Sequence, residues 1–215
     1  MKILQSVLDF LFPTKCTFCH RLTQDGAAVC VQCRGKLPFT GEAAKQVFPN
    51  LSACYSPLYY TDLVRDSLLR YKFSGLKLYA SVYGDYLAKC IDENNISCDS
   101  ITWVPLSRRR LHARGYDQAR LLAEDLSRKL DIPCSGMLQK IRNTAAQSGS
   151  GNAEKRRQNV KGVYRAVQEE MIRGKTILLV DDIVTTGATL SECAGVLRRS
   201  GGERVIGLTV ARRKD

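Results

Sequence analysis

The spacing of apolar positions changes several times along the chain, and each change marks an element. LSACYSPLYY, residues 51–60, mixes small and aromatic residues as a strand does. DLVRDSLLRYKF (62–73) and LKLYASVYGDYLAKCIDEN (76–94) carry helical spacing, with Val64, Leu68 and Leu69 on one inner face and Leu78, Val82 and Leu87 on the other. SITWVPL (100–106) reads as a buried strand ended by Pro105, which has no N–H for a ladder. YDQARLLAEDLSRKL (116–130) is an amphipathic helix with Leu121, Leu122, Leu126 and Leu130 as its stripe. Further on, GVYRAV (162–167) predicts a short strand and KTILLV (175–180) a fully buried one. TLSECAGVLRRSG (189–201) predicts a helix closed by Gly201 and Gly202, and ERVIGLTVARR (203–213) a last strand. Apolar strands that do not alternate, separated by helices, predict a parallel sheet covered on both faces, an α/β doubly wound domain. In such sheets ligands bind beyond the carboxyl ends of the strands.

ILLVDDIVTTGAT (177–189) concentrates chemistry at such a place. The apolar run delivers Asp181 and Asp182 to the carboxyl end of a strand, and Ile183 to Thr189 cross to the next helix. Gly187 allows close backbone approach, and the helix N-terminus presents unpaired N–H groups. The hydroxyls of Thr185, Thr186 and Thr189 add donors suited to a phosphate. No lysine stands in the loop, so the GxxxxGK[ST] triphosphate pattern is absent. Two carboxylates beside a phosphate cradle would repel the phosphate. Their work is to accept hydrogen bonds from sugar hydroxyls and to help hold Mg²⁺, an oxygen-seeking cation. A ribose 5-phosphate satisfies both halves of the motif. The competing reading is an ordinary capped strand-to-helix turn.

Cys16, Cys19, Cys30 and Cys33 form two CxxC knuckles within 18 residues, turned toward each other at Gly26. Each knuckle offers two thiolates to one tetrahedral Zn²⁺, and a redox pair is the competing reading. His20 is a weaker substitute ligand than its neighbour Cys19. The other five of the nine cysteines are scattered, and the odd count argues against a disulfide framework. At 215 residues the chain has room for one good core with a small appendage, which divides as 1–50 and 51–215. MKILQSVLDFLF, interrupted by Asp9 and without a small-residue cleavage site, reads as an amphipathic helix docked on the body in preference to a signal peptide. No apolar run is long enough to span a bilayer, so the expectation is a cytoplasmic protein without membrane insertion.

Net charge is +12, of which +9 falls in residues 101–165. That one-sided concentration points to an anionic ligand or to nucleic acid; a solvated face is the plainer alternative. Tyr116, Trp103 and Phe18 are the candidate aromatics for stacking on bases.

VDDIVTTGAT resembles the phosphoribosyl-pyrophosphate (PRPP) signature of type I phosphoribosyltransferases. A CxxC…CxxC head, VPLSRRRLHARGYDQARLLA (104–123), RNTAAQS…RRQNVKGVY (142–164) and VDDIVTTGAT follow one another as in one branch, the ComF family (competence protein F, also called GntX-like). The resemblance covers essentially the whole chain. It implies a type I phosphoribosyltransferase fold, a parallel sheet flanked by helices, with a small N-terminal zinc-ribbon-like module. It further implies that Asp181 and Asp182 meet the ribose hydroxyls, as the catalytic pair if transfer occurs, and that Thr185, Thr186, Gly187, Ala188 and Thr189 hold the 5-phosphate. Arg108, Arg109, Arg110 and Arg114, in the loop after strand 100–104, would face pyrophosphate or DNA, as would Arg156 in a hood over the sugar. A solvated turn and an exposed linker remain the respective alternatives. Arg114-Gly115-Tyr116-Asp117-Gln118 departs from the family's Arg-Gly-Phe-Asn-Gln, and the charge at Asp117 argues against a direct ligand role there. Gly149-Ser150-Gly151 stands where a Leu-Ser pair is usual. By this resemblance the protein binds PRPP with Mg²⁺ and single-stranded DNA in DNA uptake, beside a helicase of the uptake machinery. The rival expectation is an active phosphoribosyltransferase acting on a base or an amine.

Overall fold

The computed structural model describes residues 14–23, 26–142 and 161–214. The N-terminal stretch read as a docked helix, and most of the segment read as a hood, Arg156 included, lie outside the described residues. The remaining chain builds one main sheet in the order β1-β2-β8-β7-β4, with β3 also on β8. These strands are β1 (Lys45–Gln46), β2 (Ala53–Tyr55), β3 (Leu58–Tyr59), β4 (Ser100–Trp103), β7 (Thr176–Val184) and β8 (Arg204–Arg212). All pairings are parallel except β1 on β2.

The apolar runs of the central strands follow from their position. In β7, Leu178 and Val180 face one layer of core while Ile177 and Leu179 face the other, and all four are fully buried. The first layer holds α2 (Asp62–Phe73), α3 (Tyr79–Glu93) and α5 (Gln118–Leu130); the second holds α6 (Ala188–Arg199). With apolar cover on both faces, no polar alternation survives along the strand.

Three expectations are corrected. Residues 51–60 are two strands, because Ser56-Pro57 interrupts pairing to β8; Thr40 Oγ1 donates to Ser56 O at 2.7 Å and Thr40 N to Pro57 O at 2.9 Å instead. The strand at 162–167 is β6 (Tyr164–Ala166), and it leaves the main sheet to pair antiparallel with β5 (Leu138–Lys140). Leu69 and Leu78 do not face the core: they are 37% and 87% exposed, and Val82 is half-buried. Tyrosines take those places. Tyr71 and Tyr83 are fully buried, with Tyr71 Oη donating to Gln118 O at 2.9 Å and Tyr83 Oη sharing a 2.6 Å hydrogen bond with Ser67 Oγ. A buried phenol needs such a partner for its hydroxyl.

The cysteine segment docks on this aromatic layer. Phe18, 1% exposed, meets Tyr83 and Tyr86 edge-on at 6.1 and 6.0 Å. Ser67 Oγ donates to Thr17 O at 2.6 Å, and Arg70 donates to Phe18 O.

Candidate functional site

β7 does not stop at Val180. Asp181, Ile183 and Val184 remain in register with Thr209, Ala211 and Arg212 of β8, whereas β4 ends at Trp103 opposite Val180. Beyond that point one edge of β7 is paired and, among the described residues, the other is open. Asp181 and Asp182 stand on the open edge, and successive strand residues point to opposite faces. Both line a cleft of about 200 Å³ bordered by Lys72, Arg110, Arg114, Lys140 and Tyr164.

The two acids have different surroundings. Asp182 Oδ2 lies 3.0 Å from Lys72 Nζ, and both side chains are largely sheltered. Asp181 Oδ1 accepts the Asp182 backbone N–H at 2.8 Å. Burial, and after it the neighbouring Asp182 charge, pushes the Asp181 carboxyl up to about 8, although the Asp182 N–H and the Lys72 ammonium pull the other way. Burial, then Arg110, lowers Lys140. The cleft thus holds a carboxyl that burial makes hard to ionise, beside ammonium and guanidinium groups.

The loop that follows leads to α6. Thr185 is exposed, Thr186 and Thr189 are half-buried, and Gly187 and Ala188 are buried; of these, Thr189 lines the cleft. Gly187 is the N-cap at φ 69°, with no side chain capping the helix. A β-carbon there would run into the Phe48 ring. Glycine is needed twice over, for the left-handed backbone and for the space.

The arginines after β4 sit on a helix, not in a loop. Ser107 caps α4 (Arg108–Arg114) by accepting Arg110 N at 3.4 Å, and Gly115 ends it in the left-handed conformation. Arg110 and Arg114, one turn apart, line the cleft; Arg108 and Arg109 are exposed and do not. Asp117 is buried and takes a structural part. Its Oδ2 accepts Leu106 N at 2.9 Å and its Oδ1 accepts Arg120 N at 3.3 Å, capping α5. Burial raises its carboxyl while those N–H groups lower it.

In the N-terminal segment, the thiols of Cys16, Cys19, Cys30 and Cys33 all lie within 4.8 Å of one another. Cys19 Sγ and Cys30 Sγ are 3.8 Å apart. Tetrahedral zinc with Zn–S bonds of about 2.3 Å sets its sulfurs about 3.8 Å apart, so this cluster fits the ion. Burial opposes the Cys19 thiolate, yet the Arg21 backbone and side chain and the thiols of Cys33 and Cys16 outweigh it and bring Cys19 to about 6. His20 is not in the cluster; its Nδ1 lies 3.1 Å from Tyr79 Oη.

Both units match known domains. Residues 7–47 match a double zinc ribbon domain and residues 117–215 a phosphoribosyl transferase domain. Competence protein F of Haemophilus influenzae is 40% identical over 109 residues, 50% of this chain and 47% of that protein. DNA utilization protein YhgH of Escherichia coli K12 is 39% identical over 108 residues, 50% of this chain and 46% of that protein. Competence protein ComFC of Bacillus subtilis is 29% identical over 146 residues, 66% of this chain and 56% of that protein. The chain is similar to these ComF-type competence and DNA utilization proteins. It spans about half the length of the curated relatives it matches. The ComF fold expected from the motifs is the one observed, a phosphoribosyltransferase-type sheet with a zinc-ribbon head, and the four-cysteine cluster together with the ribbon match supports a structural zinc. No helix among the described residues is long and apolar enough to cross a membrane.

Sequence reasoning missed Lys72, Lys140 and Tyr164. For Lys72 a signal existed: it continues the Val64–Leu68 stripe of α2 one turn further, where a solvated lysine is out of place. Lys140 and Tyr164 reach the cleft only because β5 and β6 pair, which spacing within either segment does not reveal. The aromatics put forward for base stacking are not available. Tyr116 is buried with its hydroxyl on Tyr71 O, Phe18 is buried, and Trp103 is half-buried with Arg120 over its ring at 5.7 Å.

Proposed function

We propose that this protein acts in DNA uptake in the cytoplasm, holding a PRPP-type phosphorylated sugar with Mg²⁺ at the open edge of β7 and single-stranded DNA on its basic surface. The observation that carries this reading is the pair Asp181–Asp182 on an unpaired strand edge, followed directly by an uncapped helix N-terminus and bordered by Lys72, Arg110, Arg114 and Lys140. The carboxylates accept the ribose hydroxyls. The N–H groups at the start of α6 and the hydroxyls of Thr185, Thr186 and Thr189 receive the 5-phosphate. Arg110 and Arg114 face the pyrophosphate, for which a planar guanidinium fork is suited. Mg²⁺, when present, neutralises the phosphate oxygens and keeps waters that the acids can hold. The net charge of +9 over residues 101–165 exceeds what one pyrophosphate requires, which supports a nucleic-acid partner as well. A helicase of the uptake machinery is the protein partner this reading implies.

Calorimetric titration with PRPP and Mg²⁺, alone and with single-stranded DNA present, tests the proposal. Saturable heat lost in the Asp181→Asn plus Asp182→Asn variant, and DNA binding that weakens steeply with salt, are the expected results. No heat with PRPP refutes the sugar site, and salt-insensitive or absent DNA binding refutes the strand. Release of pyrophosphate with any member of a panel of bases would add transfer to binding.

A further inference from the structure

α4 and the end of α2 form a feature that the sugar site does not absorb. α4 reads RRRLHAR: four arginines and a histidine in seven residues, with no acid and no buried side chain. Its first turn holds three of those arginines at the positive end of the helix dipole, and Arg110 and Arg114 repel each other one turn apart. Such a helix is suited to lie against an anion. Beside it, the Phe73 ring at the end of α2 is 67% exposed and offers a broad apolar face to solvent. Arg114 joins the two, its guanidinium stacked 4.9 Å from the Phe73 ring centroid while it borders the cleft. One N–H of Arg114 goes to Gln118 Oε1 at 2.7 Å, and the guanidinium keeps further donors for an oxygen ligand. Lys77, 5.5 Å above the Tyr116 ring, adds charge between Phe73 and α3.

An exposed aromatic ring with a guanidinium against it is the arrangement that takes an unpaired base on the ring and its phosphate on the guanidinium. We propose that Phe73 and Arg114 form a stacking platform for one base of single-stranded DNA, with the phosphodiester running along α4 toward the cleft mouth. The assignment rests on the DNA reading above and places the strand at a surface that the sequence candidates for stacking did not include. The strand and the sugar then share Arg114, so the two ligands meet at one side chain.

The test uses the full chain with zinc and two fluorescent probes of equal length, an oligothymidylate and an abasic phosphodiester. Phe73→Ala weakens oligothymidylate binding on the order of tenfold, as expected for one lost stack, and leaves the abasic strand and PRPP titration unchanged. Phe73→Trp restores affinity, and its added indole fluorescence is quenched by oligothymidylate but not by the abasic strand. Equal loss for both probes, or no loss for either, overturns the platform while leaving DNA binding itself intact. A wild type that binds neither probe overturns the DNA reading and the platform together. A dimer that dissociates in Phe73→Ala, with DNA binding unaltered, overturns the platform in favour of a second copy on the ring.

Discussion

Asp181→Asn tests whether the site stores charge strain that its ligand relieves. Asp181 titrates at about 8 in the fold against an ordinary value of 3.8. Between those values the folded protein keeps a proton that the unfolded chain has lost, so stability falls as pH rises. The contribution is fully present below the unfolded value and is gone once pH passes about 8. Across the three pH units from about 5 to about 8, at about 1.4 kcal/mol per unit, the wild type should lose roughly 4 kcal/mol through this group as an upper bound. Asparagine keeps the shape and the acceptor for the Asp182 N–H but does not titrate. The variant should therefore gain on the wild type as pH rises, and bind PRPP less well.

The assay is urea unfolding of both proteins, zinc-loaded, at several pH values, comparing the difference between them. Groups common to both, Asp117 among them, cancel in that difference. An advantage to asparagine that grows by at least about 1 kcal/mol from acid to mildly alkaline pH supports the reasoning, allowing for the usual shortfall of such linkage values. A difference flat within about 0.5 kcal/mol, the ordinary error of additivity, refutes it.

Further outcomes follow from the same contacts. Lys72→Met leaves Asp182 without its 3.0 Å partner in sheltered surroundings and should cost about 2–3 kcal/mol by denaturant unfolding, somewhat below the loss for a fully buried pair. Adding Asp182→Asn should return much of that cost, and simple additivity of the two would contradict it. Gly187→Ala forces a side chain into a left-handed position against Phe48 and should destabilise by roughly 2–4 kcal/mol; Phe48→Ala in the same protein should relieve only the steric part, leaving about 1–2 kcal/mol. Removing zinc with a chelator, or replacing Cys33 with Ser, should lower the melting temperature of the whole protein, because Phe18 and the Thr17 carbonyl dock on α2 and α3. Zinc release with an unchanged melting curve would contradict that coupling.

What was legible in the sequence, and what was not, divides along the range of the forces involved. β7, β8, α5 and α6 were readable because burial on one or both faces writes itself into local spacing. The CxxC pairs were readable because a metal fixes ligand type and spacing within a short segment. The inner faces of α2 and α3 are not legible at Leu69 and Leu78, because spacing alone favours leucine over tyrosine and only the fold supplies the partners that let Tyr71 and Tyr83 go inside. The arginines after β4 read as a loop in the sequence because nothing apolar marks α4; it is held by the Ser107 cap and the Gly115 turn.

The site itself divides in the same way, and the division has a physical reason. Its acids and its loop are contiguous, since one strand-to-helix crossing delivers both to the sheet's end. Its cations are not: Lys72 comes from α2, Arg110 and Arg114 from α4, and Lys140 from a ribbon outside the main sheet. Placing cations in the same loop as the acids would let them pair locally and cancel before any ligand arrived. Bringing them from separate elements holds them across the cleft, where Lys72 meets Asp182 at 3.0 Å. Burial, with the Asp182 charge beside it, makes the Asp181 carboxyl costly to ionise. A phosphorylated sugar arriving with a divalent cation would bring positive charge to Asp181 and oxygen ligands to the cations at once, which is why the same residue is expected to weaken the fold and to strengthen the binding.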